Sequence, residues 1–115
     1  MKYFLAVDIG ASSGRHMLTH MEEDRMVLEE VHRFYNGMTE KNGHKIWDVD
    51  TLFEEIKIGM KKCASLGKIP ESMGIDTWAV DFVLLDKNGG RIGDAVAYRD
   101  ARTTGMDEGM PDCRR

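Results

Sequence analysis

The sequence has 115 residues, 31% charged and 42% hydrophobic, with a formal net charge of −4. That length allows one domain at most, and the composition is that of an ordinary globular chain rather than a disordered one. The acidic balance argues against generic nucleic-acid or membrane-surface binding, which leaves a basic footprint.

The chain opens with a buried strand over residues 3–9, short, apolar and ended by Gly10. Residues 15–21 form a second strand, Glu22 to Arg25 a polar turn, and residues 26–34 a third strand, so that the three make an antiparallel meander. Asn36-Gly37 and Asn42-Gly43 are turn signals, since Asn and Gly tolerate positive φ. The stretch IWDVDTLFEEIKIGMKKCASLG predicts a helix. Asp50 or Thr51 is its expected cap, and Thr51 with Glu54 fits a capping box. Leu52, Phe53, Ile56, Met60, Cys63 and Ala64 recur at helical spacing as its apolar stripe. Glu54, Glu55, Lys57, Lys61 and Lys62 take the other side, acids early and lysines late. Gly67 is the expected stop.

A strand over residues 73–78 follows, and a strand after a helix suggests a parallel crossover. Residues 80–86 read as another strand, Asn88-Gly89 as a hairpin turn and residues 91–98 as the returning partner. Residues 103–115 lack an apolar period and are expected to fray. Cys63 and Cys113 lack CxxC spacing, which suggests neither a zinc site nor a disulfide framework. The first apolar run stops at Asp8, too short for a signal peptide or a membrane span, so a cytoplasmic, reducing location is expected. The nine methionines are expected as core filler, and His16, His20, His32 and His44 as surface or partly buried residues, with no pairing to an acid or cysteine that demands a metal or a catalytic role.

The strand-to-loop stretch AVDIGASSGR carries the chemistry. Gly10 and Gly14 let amide N–H groups converge on an oxyanion, Ser12 and Ser13 add hydroxyls, and Arg15 adds a permanent cation. Asp8 would repel a phosphate unless a metal sits between them. Mg²⁺ resolves the conflict, because a carboxylate holds it while phosphate oxygens and water complete its octahedron. A Walker loop needs four residues between its glycines and then Lys; here three separate Gly10 from Gly14, and Arg15 and His16 follow. A dinucleotide fingerprint opens a helix, whereas this loop opens a strand. A tight hairpin with incidental polar residues is the plainer alternative.

In GIDTWAVDFVLLD, Asp76 and Asp81 flank Trp78. Trp78 offers a flat apolar face to a sugar ring, and Asp81 an acceptor for its hydroxyls. The plainer reading keeps Trp78 in the core and both acids in solvent. In AYRDARTTG, the alternating Arg99, Asp100 and Arg102 read as a solvated ion-pair cluster worth under about 1 kcal/mol.

Taken in register, DxGxSSxR, GIDTWxVDFVLLD and YRDxRT resemble the start of FGGY-type carbohydrate kinases, from Tyr3 to Gly105. HRFYNG and NGHKIWDVDTL resemble the branch that acts on L-rhamnulose. The resemblance implies an α/β, actin-like (ribonuclease-H-like) ATPase fold. This chain would be its N-terminal part: three-strand meander, crossover helix, fourth strand and an added β-hairpin. It implies ATP and Mg²⁺ as cofactors and a ketose sugar, L-rhamnulose, as acceptor, with no nucleic acid and no membrane. It implies Asp8 as the metal carboxylate and Ala11, Ser12, Ser13, Gly14 and Arg15 as the phosphate lining. Trp78, Ala79, Asp81 and Tyr98 would face the sugar. Position 79 is small in that branch, often glycine, so Ala79 narrows the pocket by one methyl.

The family's catalytic base is an aspartate further along than Arg115, and the adenosine site lies in a second domain. Residues 1–115 are therefore expected to form part of a first domain, with no catalytic residue, inactive alone and prone to self-association. Two other classes fit the same loop. A small resolvase-like nuclease would use Asp8 with further acids to hold two metals on DNA, against the acidic net charge. A non-catalytic nucleotide-binding module would bind ATP without turnover.

Overall fold

A computed structural model describes residues 1–106. Residues 107–115, with Cys113 and most of the tail expected to fray, lie outside the described part. The elements in chain order are β1 (Tyr3–Ile9), β2 (Ser13–Glu22), β3 (Arg25–Tyr35), β4 (Thr39–Lys41), β5 (His44–Trp47), α1 (Val49–Ser65), β6 (Pro70–Thr77), β7 (Leu84–Leu85), β8 (Arg91–Ile92), β9 (Ala95–Val96) and a 3₁₀ turn, Ala101–Thr103. The chain divides into two units: Met1–Gly37 with Asp48–Ala79, and Met38–Trp47 with the residues from Val80 onward.

The first unit is a four-stranded sheet in the order β3-β2-β1-β6. β1, β2 and β3 form the expected antiparallel meander, and β6 runs parallel to β1 after the crossover through α1. Strand alternation puts Leu5, Val7 and Ile9 on one face, where they meet Leu18, Phe34 and Cys63 in the buried core. Each large apolar side chain so buried contributes about 1.5–3 kcal/mol. Val31, Leu52, Ile56 and Trp78 pack against that core, half-buried.

The helix begins earlier than its sequence suggests. Asp48, not Asp50 or Thr51, is the N-cap, and its Oδ1 accepts the Thr51 N–H at 3.0 Å. Its C-terminal end is as expected. Gly67 (φ +70°) follows the cap, and the Lys68 N–H reaches the Cys63 carbonyl at 3.0 Å. The contact face is Leu52, Ile56, Gly59 and Cys63, with Glu55 half-buried beside them, while Phe53, Met60 and Ala64 are exposed. The reason is Gly59. A Cβ there would come within 2.1 Å of the His16 ring, so the helix approaches the sheet through its glycine. The methionines are not core filler either. Six of those described are exposed, and Met60 and Met73 line an open cleft with Leu5, Ile69 and Pro70.

In the second unit, β4 and β5 form a hairpin across Asn42 (φ 52°) and Gly43 (φ 81°), the two positive-φ positions of a type I′ turn. β9 adds to β5, pairing Ile46 with Val96. The strand expected over residues 80–86 shrinks to β7, and the one expected over 91–98 divides between β8 and β9 in different sheets. Val80 (φ 71°) and Gly93 (φ 73°) turn the backbone out of extended geometry inside each run. The β7–β8 hairpin itself sits at Asn88-Gly89, as expected, with Asp86 accepting the Asn88 and Gly90 N–H groups at 2.8 and 2.9 Å.

Candidate functional site

The bend between β1 and β2 is short because β1 and β2 stay paired to its edge, Ile9 opposite Gly14 and Asp8 opposite Arg15. The Gly10 N–H donates to the Ser13 carbonyl at 2.8 Å and closes the turn. Buried Asn36 braces it, donating from Nδ2 to the Gly10 carbonyl at 2.9 Å and from its backbone N–H to the Ser12 carbonyl at 3.0 Å. Ala11 and Ser12 face solvent, and Ser13 is half-buried. The glycines act differently from expectation, since neither Gly10 nor Gly14 is among the residues with positive φ. Gly14 lies against the Phe34 ring, where a Cβ would come within 2.1 Å, and a Cβ on Gly10 would sit 3.3 Å from the Ser13 carbonyl oxygen. Their smallness serves close packing beneath and within the bend.

Asp8 and Arg15 form an ion pair at 3.1 Å, both side chains about half exposed. The parallel register also sets Asp8 beside Asp76 on β6, two acids on neighbouring strands that repel unless a cation lies near. Asp8, Ala11, Ser12, Ser13, Gly14 and Arg15 are thus gathered at one bend. The arrangement suits Mg²⁺ carried in by a nucleotide, because one carboxylate with hydroxyl and phosphate oxygens completes a hard-cation shell. Among the described residues no group of three or more His, Cys, Asp or Glu could cage a metal by itself. Trp78, in the same unit, is half-buried against the core, and Ala79 is exposed.

In the second unit, Trp47 organises the residues expected to face a sugar. Its indole N–H donates to Asp81 Oδ2 at 2.6 Å, and its ring lies 6.5 Å from that of Tyr98. Asp81 is therefore half-buried rather than free in solvent. The cluster Arg99, Asp100 and Arg102 is not a solvated ion-pair group. Asp100 is buried, accepting from the Lys45 N–H (2.8 Å), His44 Nδ1 (3.0 Å) and the Arg102 N–H (3.2 Å). The Lys45 backbone donor above all, with His44 and the Arg102 N–H, holds its carboxyl down at about 2.

Among the histidines, His16 departs from expectation. His20 meets Glu22 at 3.1 Å, His32 meets Glu55 at 2.6 Å and His44 meets Asp100 at 3.0 Å. His16 is wholly buried; its Nε2 donates to the Ile56 carbonyl at 3.1 Å, and burial pushes its pKa down. Two of these acids lie far along the chain from their histidines, so adjacency in sequence gives no sign of them. Asn36 and Trp47 escape a reading of the sequence for the same reason, one passing as a turn former and the other as an ordinary strand aromatic.

The chain matches the N-terminal domain of the FGGY family of carbohydrate kinases over residues 3–111. It is 58% identical over 108 residues to a rhamnulokinase of Halalkalibacterium halodurans, a match that covers 94% of this chain and 23% of that protein. Among solved structures it superposes on a gluconate kinase from Lactobacillus acidophilus with a TM-score of 0.74 at 13% identity, covering 97% of this chain and 23% of that one. A ligand-bound xylulose kinase from the same organism gives 0.75 at 13% identity, covering 98% and 23%. The chain thus spans about 23% of the length of the relatives it resembles, and its fold is the actin-like ATPase fold of these sugar kinases.

Proposed function

Because the chain belongs to the FGGY family of carbohydrate kinases, we propose that it carries the phosphate loop and part of the sugar-facing surface of an ATP-dependent kinase. The acceptor we propose is the 1-hydroxyl of L-rhamnulose, a choice supported by the rhamnulokinase relative. The observation that carries the reading is the bend that brings exposed Asp8, Ser12 and Arg15 together at the end of β1.

In this reading Asp8 holds Mg²⁺, which when bound offsets charge on the phosphate oxygens. Arg15 leaves Asp8 for the phosphates, an exchange made easy because a half-exposed pair is worth only about 0–1 kcal/mol. The hydroxyls of Ser12 and Ser13 and the backbone of Ala11 and Gly14 line the anion. Trp78 and Ala79 present apolar surface to the sugar, and Asp81 and Tyr98 present polar groups. Residues 1–115 act as part of a first domain, and the base that takes the hydroxyl proton lies further along than Arg115. The site of action is the cytoplasm.

Calorimetric titration tests this. MgATP is expected to bind the chain, with at least about tenfold weaker affinity in Asp8→Asn, since a charged metal contact is lost, and to lose Mg²⁺ dependence in that variant. The chain alone is expected to form no ADP on addition of L-rhamnulose. Equal MgATP affinity in wild type and Asp8→Asn would remove the basis of the proposal.

A further inference from the structure

Trp47 ends β5 with only 3% of its surface exposed, and its indole N–H gives Asp81 a bond of 2.6 Å. A buried indole nitrogen needs a partner, and a carboxylate acceptor supplies the short, strong form of that bond. Asp81 follows directly on Val80, whose φ is +71°. A β-branched side chain crowds the backbone in this left-handed region, which suits glycine or asparagine. Val80 is 77% exposed, so packing of its own side chain does not hold it there. Such geometry persists only where the surroundings over-determine it. Among the described residues, the other two non-glycine positions with positive φ, Glu23 and Asn42, both sit in strand-connecting turns; Val80 does not join paired strands in that way.

We propose that Trp47 is a positioning residue: its indole N–H, given to Asp81, holds Val80 in the left-handed turn that sets the direction of the Asp81 carboxylate toward a ketose hydroxyl. The last clause rests on the reading of Asp81 as a sugar contact. Trp47 touches neither phosphate nor sugar in this scheme and acts through Asp81. Tyr98, tilted 35° to the indole, flanks the same ring.

The test is nuclear magnetic resonance on the 115-residue chain. Trp47→Phe removes the donor and keeps an aromatic ring. The φ-dependent backbone coupling of Val80 is expected to move to that of an extended residue, while the amide resonances of β1 and β2 stay in place. In titrations with L-rhamnulose, Trp47→Phe is expected to weaken binding by about tenfold, the scale of one charge-assisted hydrogen bond. In a Val80→Gly background the same change is expected to cost about threefold or less, because glycine enters the left-handed backbone without the strain that the tether offsets in valine. A merely structural role would cost the same in both backgrounds. That equality, or an unchanged Val80 coupling in Trp47→Phe, overturns the proposal. Should wild type bind no ketose while Trp47→Phe still releases Val80, the sugar reading falls and the backbone tether stands. If Trp47→Phe does not fold, Asp81→Asn serves: it keeps an oxygen acceptor without the charge. The Trp47 indole proton is then expected to move upfield, and an unmoved resonance counts against the tether.

Discussion

At Gly59 the lack of a side chain decides how a helix meets its sheet. Alanine there would gain about 1 kcal/mol of helix propensity. Its Cβ would also enter the His16 ring at 2.1 Å, closer than real contacts allow, and that ring is wholly buried. Overpacking of this kind costs about 1–3 kcal/mol, and a clash with a ring rather than a flexible chain end places it at the upper limit. Gly59→Ala is therefore expected to destabilise the chain by about 1–2 kcal/mol net, read as a lower urea midpoint; an unchanged or raised midpoint would contradict the contact. Nothing in the sequence marks Gly59, which looks like a poor helix residue and gains its meaning only from a strand forty-three positions earlier. The loop residues are the opposite case. Asp8, Ser12, Ser13 and Arg15 lie within eight positions of one another, so their chemistry is legible in the sequence alone. Their brace, Asn36, comes from the far end of the meander and is not.

Among the elements, α1 shows what periodicity settles and what it leaves open. Apolar spacing and Gly67 locate the helix and its end, because both signals are local. The start is ambiguous in sequence because several residues, Asp48, Asp50 and Thr51, satisfy the same capping preference. The structure selects Asp48, which leaves extended geometry as soon as β5 ends. Asp48→Ala is expected to lower stability by about 1 kcal/mol, whereas Thr51→Ala should change it by only a few tenths. Thermal melts of both variants check this, and a larger loss in the threonine variant would restore the other cap. Residues 80–86 and 91–98 mislead for a related reason: their composition favours strands, but composition does not say which neighbour a strand will pair with. β8 and β9 end up in separate sheets because a turn at Gly93 lets one continuous run serve two partners.

At the scale of the whole molecule, two buried polar residues set how the chain responds to acid. His16 takes protons less readily folded than unfolded, because burial disfavours its charged form and His32 of β3 and Lys62 of α1 add to that, opposed by the Ile56 carbonyl and Glu55. Its folded pKa lies below the unfolded 6.5, so stability is full above 6.5 and falls as pH drops beneath it. Asp100 has a folded value of about 2 against 3.8, so its contribution is intact above 3.8 and is lost between there and about 2. The melting midpoint should be flat in neutral buffer, decline on acidification below 6.5 and fall again below 3.8. Asp100→Asn should remove the second decline, and a midpoint constant from neutral pH down to about 5, the lower end of the range in which histidines titrate, would refute the first.

By itself the sequence determined the meander, the crossover helix, the glycine-framed bend after β1 and the family, all of which rest on residues close together in the chain or on motifs in fixed order. Only the tertiary structure decided that Asn36 braces the bend, that Trp47 seizes Asp81, that Asp100 is buried, and that His16 fills the space above Gly59. Each of those depends on side chains brought within hydrogen-bond or van der Waals reach by sheet register and helix packing. Such distances are a property of the folded backbone, and no local pattern of residues encodes them.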